Sequence, residues 1–427
     1  MRFGIAKDII TPTSPMKLIC AGGGKDSDFL RIHDDIYVKS LVLDDGTKKT
    51  ILMSFDLALH DRDLNETLAE YALNKYGVSS EHFVLGCTHA HPVPAIRGYN
   101  PGTHSDAYEE LLVTRAKQCI DRAMCNMMEG TMEYGSFYAD FNISRRGTVN
   151  GVYKIAPTEE YPHDTEFVVI CIRDINGEVR SVIMNYACHP VFYPDERGLS
   201  GEFPARLCQY LDAEFYGNIS MFFQSAAGDV RPRPTADLEN NKFNKMKFAD
   251  VDRFAKEMYE AVLAFISSGE LKRIEPDITA DMFEIELPLE PKPLSFFEKY
   301  LEGKDVKEFH PCVVNAYHTV NGNYEKMPHD VILHCQLIRI SETFYLATVG
   351  GEPCYGVKKA VQEVLDGKDI CFIGYTDSSA YYVDDRMLGE GGYEPASFLE
   401  YGWIGPFKPG LDEKYREGFR TALQRIR

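Results

Sequence analysis

The sequence predicts an α/β fold, with a mixed β-sheet core flanked by helices, in a single domain over residues 1–427. Short apolar runs alternate along the chain with longer amphipathic ones, as strands interleaved with helices do. The short runs are continuously apolar, the pattern of strands buried on both faces. Composition is that of an ordinary globular chain, 44% apolar and 26% charged, and its length suffices to bury a large core.

The strands predicted in order are Thr50–Phe55, His82–Cys87, Glu166–Ile172, Ser181–Ala187, Ile219–Gln224, Val331–Ile338, Phe344–Val349 and Ile370–Ile373. Helices are predicted at Leu64–Lys75, Asp106–Met128, Pro204–Glu214, Phe248–Ser267, Cys354–Leu365 and Asp412–Arg425. In the last, Tyr415, Phe419, Leu423 and Ile426 recur at helical spacing and form one apolar stripe. The stretch from Glu275 to Pro328 holds the Pro-rich LPLEPKPLS and the polar DVKEFHP. It reads as an insertion or covering lobe, not a linker. There is no internal repeat or low-complexity tract.

Net charge is −19 and no Lys/Arg-rich run appears, which argues against nucleic acid and anionic membrane surfaces as partners. No stretch approaches the roughly 18 apolar residues of a membrane span, so stable membrane insertion is not expected. The N-terminal MRFGIAKDIITPTSP has Lys7 and Asp8 where a signal peptide needs an apolar run. The expected location is therefore cytoplasmic. The 11 cysteines are odd in number and form no C-x-x-C pair, so a disulfide framework or Cys-rich zinc site is not expected.

Several predicted strands end in polar residues. HFVLGC runs into Thr88-His89-Ala90-His91-Pro92, SVIMNYA into Cys188-His189-Pro190, ISMFFQ toward Gly228-Asp229, and FYLATV into Gly350-Gly351-Glu352-Pro353. In α/β sheets, sites lie beyond the carboxyl ends of strands. Imidazole and carboxylate are normal Zn²⁺ ligands, and a bound ion would acidify water and polarise a carbonyl. Proline after His91 and His189 favours an extended backbone there. Each residue also has an ordinary reading: strand-end histidines often cap or pack, and Glu352 suits the first turn of a helix.

A set of segments runs in order along most of the chain. These are Asp8-Ile9-Ile10-Thr11-Pro12, His33-Asp34-Asp35-Ile36-Tyr37-Val38, Ser54-Phe55-Asp56-Leu57 and Thr88-His89-Ala90-His91. Then follow Asn142-Ile143-Ser144-Arg145, Asn185-Tyr186-Ala187-Cys188-His189-Pro190, Ser200-Gly201-Glu202-Phe203-Pro204 and Gln224-Ser225-Ala226-Ala227-Gly228-Asp229-Val230. Gly351-Glu352-Pro353 and Tyr381-Tyr382-Val383, ahead of Glu390-Gly391-Gly392-Tyr393-Glu394, close the set. Together they resemble the catalytic domain of the neutral/alkaline ceramidase family, zinc amidohydrolases that split N-acyl sphingosine. The resemblance implies zinc held by His89, His189, Glu352 and Tyr382, with Tyr381 the adjacent alternative. It implies that His91 acts on the attacking group or the oxyanion, and that Arg145 lies near the scissile amide.

The chain departs from the family at Gly228-Asp229-Val230-Arg231-Pro232-Arg233, where Arg231 occupies the position of a family serine. A serine nucleophile there is excluded, and Arg231 joins His91 and Arg145 as a candidate catalytic residue. Arg231 and Arg233 would place two guanidinium groups near the pocket. The expected substrate is a small N-acyl amide or ester more polar than ceramide and possibly anionic. The alternative is a metal-binding homologue that lost turnover with the serine. The family's C-terminal immunoglobulin-like domain and secretion signal are not expected in this chain.

Weaker signals carry ordinary readings. Gly22-Gly23-Gly24-Lys25-Asp26 lacks Walker spacing and reads as a turn. Cys188 would face away from the neighbouring His189. Asp56 would either orient a metal-binding histidine or cap a turn.

Overall fold

In a computed structural model, residues 1–19, 28–96, 105–192, 197–304, 311–377 and 380–426 are described. The glycine-rich stretch Gly22–Asp26 lies outside them. The expected alternation resolves into two sheets, each covered by helices on its outer face. The first sheet contains β1 (Arg2–Ile9), β2 (Tyr37–Asp44), β3 (Lys49–Phe55) and β4 (Phe83–Cys87). It also contains β5 (Met128–Tyr138), and the short β6 (Asn142–Ser144) lies beside it as part of a two-stranded ribbon. It continues with β7 (Glu166–Asp174), β8 (Val179–Tyr186) and β9 (Met221–Gln224), and the ribbon partner of β6 is β10 (Val230–Pro232). The strand order is β9-β8-β7-β5-β1-β2-β3-β4, with β11 (Lys272–Ile274) also pairing β5. The β8–β9 and β3–β4 pairs are parallel and the other pairs antiparallel, so the sheet is mixed.

The second sheet runs β12 (Thr279–Pro288), β13 (Asp330–Arg339), β14 (Phe344–Val349), β16 (Asp369–Ile373). A two-residue parallel pair, β15 (Glu352–Pro353) with β17 (Tyr381–Tyr382), lies beyond the end of β14.

Side-chain alternation sorts these strands into layers. Phe3, Ile5, Leu41, Leu43, Leu52, Val84, Ile170 and Phe223 leave one face of the first sheet and meet Ile338, Phe344, Leu346, Cys371 and Ile373 of the second. On the opposite face, Val42, Ile51, Met53 and Leu85 pack against α1 (Arg62–Tyr76) and α2 (Asp106–Cys125). Further along, Val169, Cys171, Met184 and Phe222 pack against α3 (Glu202–Glu214) and α4 (Phe248–Ser268). The outer face of the second sheet carries the helix Tyr355–Val364 and the C-terminal helix Leu411–Arg425, whose Tyr415, Phe419 and Leu423 are buried together, as the stripe requires. The strands between these layers, such as β3, β4, β7, β8, β9, β14 and β16, are therefore buried on both faces, which is why their runs are continuously apolar. Removing a large side chain from such a layer costs on the order of 2–5 kcal/mol.

Four long strands escaped the apolar-run criterion, β1, β2, β5 and β12, because charged residues interrupt them. In β2 the intruder is Lys39, 2% exposed and 3.7 Å from the carboxylate of buried Asp56. β12 is an edge strand with one face largely exposed, so its sequence alternates. It occupies the start of the stretch read as a lobe. The remainder forms α5 (Leu294–Leu301) and α6 (Pro311–His318), with a small apolar cluster of Phe297, Cys312, Ala316, Phe398 and Leu399.

The described cysteines are free thiols, buried except for Cys125. Cys188 packs with Phe192 and Phe203, and burial pushes its thiol well up. No helix among the described residues is long and apolar enough to cross a membrane.

Candidate metal centre

Four chain segments leave strands and turn toward one point. After β4, Thr88 N donates to Phe55 O and His89 N to Leu57 O, which carries the backbone across the end of β3. His89 takes a left-handed conformation at φ 65°, a strained state for a non-glycine residue. The strain aims its imidazole inward. Nδ1 lies 2.6 Å from Ala58 O, so Nδ1 carries the proton and Nε2 presents its lone pair to the centre. His91 follows two residues on. After β8, His189 enters the same space, with Nδ1 3.4 Å from Ala227 O.

A side chain that sequence reasoning did not single out locks the two histidine turns together. Gln224, buried at the end of β9, donates to Thr88 O at 2.9 Å and to Cys188 O at 2.8 Å, and accepts from Cys188 N at 3.2 Å. Asn142 adds a bond to Ala187 O at 2.5 Å. Both act on the residues immediately before the histidines, so they fix where the rings start.

Glu352 comes from the second sheet. Gly351 precedes it at φ +64°, and a Cβ there would meet Ala380 O and the Tyr382 ring at 2.5 Å. Only glycine fits this turn. Pairing of β15 with β17 then places Glu352 opposite Tyr381 and Pro353 opposite Tyr382. Because successive side chains on a strand face opposite ways, Tyr381 shares the Glu352 side while Tyr382 turns away. The Tyr382 ring lies in the outer core of the second sheet, stacked on Phe407 at 5.9 Å. The tyrosine beside Glu352 is therefore Tyr381, not the Tyr382 implied by the resemblance.

At the centre, His89 Nε2 and His189 Nε2 are 3.1 Å apart, His91 and His189 Nε2 3.1 Å, and His91 and His89 Nε2 3.3 Å. Glu352 Oε2 lies 3.3 Å from His89 Nε2 and, although buried, accepts no hydrogen bond among the described residues. Three imidazole nitrogens turned on one another cannot all be satisfied by the protons that neutral rings carry. A tetrahedral site with Zn–N bonds of ~2.0–2.1 Å would set nitrogens about 3.3 Å apart. The donor set and its spacing thus fit a divalent ion.

The electrostatics agree. Burial pushes the His91 and His189 imidazoles well below their ordinary range, and the neighbouring histidines, Arg145 and Arg231 push the same way. They are neutral, the form that binds metal. Burial pushes Glu352 up, yet the neighbouring His89, the charge of Arg145 and a hydrogen bond from Tyr381 together hold its carboxyl below the ordinary value.

Arg145, 2% exposed, sits behind Tyr381 with its guanidinium 5.0 Å from that ring's centre. Glu394, on the short helix Tyr393–Ala396, bonds both Arg145 Nε at 2.9 Å and Arg146 at 2.6 Å. Nη2 of Arg145 is buried with no hydrogen-bond partner among the described residues. Arg231 is partly buried, and its charge pushes the His91 and His189 imidazoles down. Arg233, expected beside it, points instead to the surface and pairs with Asp140 and Glu159. Asp229 takes no part in these pairs. It accepts from Tyr355 N at the start of the following helix, and burial together with the charge of Glu394 pushes its carboxyl up to about 8. Among the described residues Asp56 bonds no histidine; it is held by Tyr37 N and Lys39. Tyr375, also not anticipated, packs on the His89 ring at 4.4 Å.

This is a two-sheet α/β fold with a buried three-histidine, one-carboxylate cluster at the carboxyl ends of its strands, the class of site that holds a metal ion. Solved structures with the same architecture include ceramidases. The neutral ceramidase from Pseudomonas aeruginosa matches with TM-score 0.73 and 16% identity, over 100% of this chain and 75% of its own. A ceramidase complexed with C2 matches with TM-score 0.74 and 16% identity, over the same shares. The chain thus has the neutral ceramidase catalytic-domain fold. No protein-family model matches the sequence.

Proposed function

We propose that this protein is a zinc-dependent hydrolase of an amide, or less readily an ester, in a small N-acyl substrate more polar than ceramide. The observation that carries this reading is the convergence of His89, His91 and His189 Nε2 with the buried Glu352 Oε2. It occurs in a fold whose solved examples include ceramidases.

In this reading His89, His91, His189 and Glu352 would hold the ion, and Tyr381 lies beside Glu352. When bound, zinc supplies a Lewis acid and lowers the pKa of water to ~7. The chain's own groups do the rest. Arg145 presents a fixed, buried N–H donor at Nη2, suited to the negative charge that develops on the carbonyl oxygen. Glu394 holds that guanidinium in plane. Tyr381, close to both Glu352 and Arg145, is the hydroxyl placed to carry a proton to the departing nitrogen. Water adds across the C–N bond to give a carboxylic acid and an amine. His91 is as close to the other two imidazoles as they are to each other, so we assign it to the ligand set rather than to proton transfer.

The test is a panel of N-acyl amides and esters with metal-loaded protein, with and without chelator, beside elemental analysis of the wild type and His189→Ala. Chelator-sensitive turnover and about one zinc per chain, lost in the variant, support the reading. Bound zinc with no turnover of any member favours a metal-binding protein that has lost catalysis.

A further inference from the structure

We propose that Tyr375 is a positioning residue of the metal centre. It joins the turn that delivers His89 to the turn that delivers Glu352, and its ring sets the plane of the His89 imidazole. This rests on the metal site of the hydrolase reading above and adds what pre-forms that site before an ion is bound.

The joint is built first from backbone. Tyr375 follows the end of β16. Its carbonyl accepts from Cys87 N at 3.1 Å, just before His89, and its N–H donates to Gly351 O at 2.8 Å, just before Glu352. One residue thus bonds both the first-sheet turn and the second-sheet turn. Its neighbours extend the contact. Gly374 N donates to Gln224 O at 2.9 Å, and Gly351 N donates to Asp377 O at 2.5 Å. Asn65, on α1, donates to Thr376 O at 3.2 Å. That helix begins just after Ala58, whose carbonyl holds His89 Nδ1.

The side chain adds a second constraint. The bond to Ala58 O fixes one edge of the His89 ring but leaves the ring free to tilt about that edge. The Tyr375 ring packs on the imidazole at 4.4 Å between centroids and 38° between planes. It blocks the tilt, so Nε2 keeps its aim at the nitrogens of His91 and His189. Local preference opposes this arrangement. His89 at φ 65° and Tyr375 at φ 59° are both left-handed, and the other non-glycine residues in that state among the described ones are Asn150, Glu202 and Asn241. Asparagine visits this region readily, whereas a bulky aromatic does not. Glycine or asparagine at 375 would relax the backbone and leave the imidazole face bare. Tyr375 is 1% exposed, and its hydroxyl makes no hydrogen bond among the described residues. The role therefore belongs to the ring and the backbone. Groups that orient a metal ligand in this way typically carry a ten-fold or larger share of metal affinity.

The experiment measures zinc affinity by competition with a chromophoric chelator, and the state of the His89 imidazole in metal-free protein by NMR. Tyr375→Phe keeps the ring and should bind zinc as the wild type does. Tyr375→Met fills the space without a planar face, and Tyr375→Asn suits the backbone without a ring. Each should lose about ten-fold or more in zinc affinity. Phe419→Leu, which truncates a buried aromatic in the C-terminal helix, is the control. It should lower the melting temperature and leave zinc affinity unchanged, the pattern the Tyr375 variants would share if that ring only filled the core. In metal-free wild type, His89 should show one tautomer, protonated at Nδ1, and the two ringless variants should show an average of both. Full zinc affinity in a folded ringless variant overturns the proposal. So does an equal loss in Tyr375→Phe, which would move the role to the hydroxyl. If neither ringless variant folds, the wild type decides: a single His89 tautomer in contact with the Tyr375 ring supports the proposal, and averaged tautomers overturn it. Wild-type protein that binds no zinc yet keeps one His89 tautomer, lost in the ringless variants, would sink the hydrolase reading and leave the role of Tyr375 standing. Zinc-dependent turnover with full affinity in those variants would do the reverse.

Discussion

Adjacent residues on a strand face opposite sides, and Tyr381 and Tyr382 show the consequence for a site assigned by alignment. The resemblance points to Tyr382, one position from the residue that meets Glu352. A one-residue offset is invisible in a string of letters but reverses the side chain's direction. Tyr381→Phe is therefore expected to lower turnover at least about ten-fold with little change in melting temperature. Tyr382→Phe, in the core, should leave kcat nearly unchanged. The opposite pattern would return the role to Tyr382. Buried Asp229 makes a second prediction at this scale. The folded protein keeps its proton up to about pH 8, while the unfolded chain releases it near pH ~4. Its contribution to stability is full below pH ~4 and is lost as pH rises toward 8. Asp229→Asn keeps the acceptor for Tyr355 N without that slope. Urea melts of metal-free protein at about pH 5 and about pH 8 should show the variant gaining on the wild type at the higher pH; a constant difference refutes the neutral carboxyl. His91 and His189 act with the other sign, since the unfolded chain gains their protons below pH ~6.5 and acid destabilises the fold.

The turns after β4, β8 and β14 are the elements that make the site, and they were legible because each follows an apolar run that ends abruptly in His or Glu. Their mutual orientation was not legible. It depends on Gln224, whose amide spans two turns about a hundred residues apart in sequence. The signal available was one amide at the end of an apolar strand, which many strands share. Gln224→Leu should leave three backbone groups unsatisfied at ~1–3 kcal/mol each. A fall of at least about 2 kcal/mol in a denaturant melt, with weakened zinc binding, is the expected outcome. Unchanged stability and affinity would show that the turns hold themselves. Likewise β1, β2, β5 and β12 were missed because a charge inside a strand is tolerated only when a distant partner or an exposed edge accepts it, as Asp56 does for Lys39.

At the scale of the whole molecule, the three histidines leave the first sheet and Glu352 leaves the second. A bound ion would tie the two layers together at their carboxyl ends. Binding that favours the folded state stabilises it by mass action, by about 2.7 kcal/mol at a hundred-fold excess over Kd. Zinc should raise the melting temperature of chelator-treated protein by a few degrees, and His189→Ala should abolish that rise. A melting temperature indifferent to zinc in the wild type would count against a metal that bridges the sheets.

The sequence by itself determined the α/β class, the six long helices within a few residues, most of the buried strands, and the four strand ends that carry polar residues. These depend on local hydrophobic period and on abrupt changes of residue type, which a single chain displays openly. Only the tertiary structure decided that there are two facing sheets rather than one, and that His91 stands level with His89 and His189. It also turned Tyr381 inward, and it sent Arg233 to the surface. Those outcomes follow from strand register and from partners far away in sequence, and neither leaves a local trace in the order of residues.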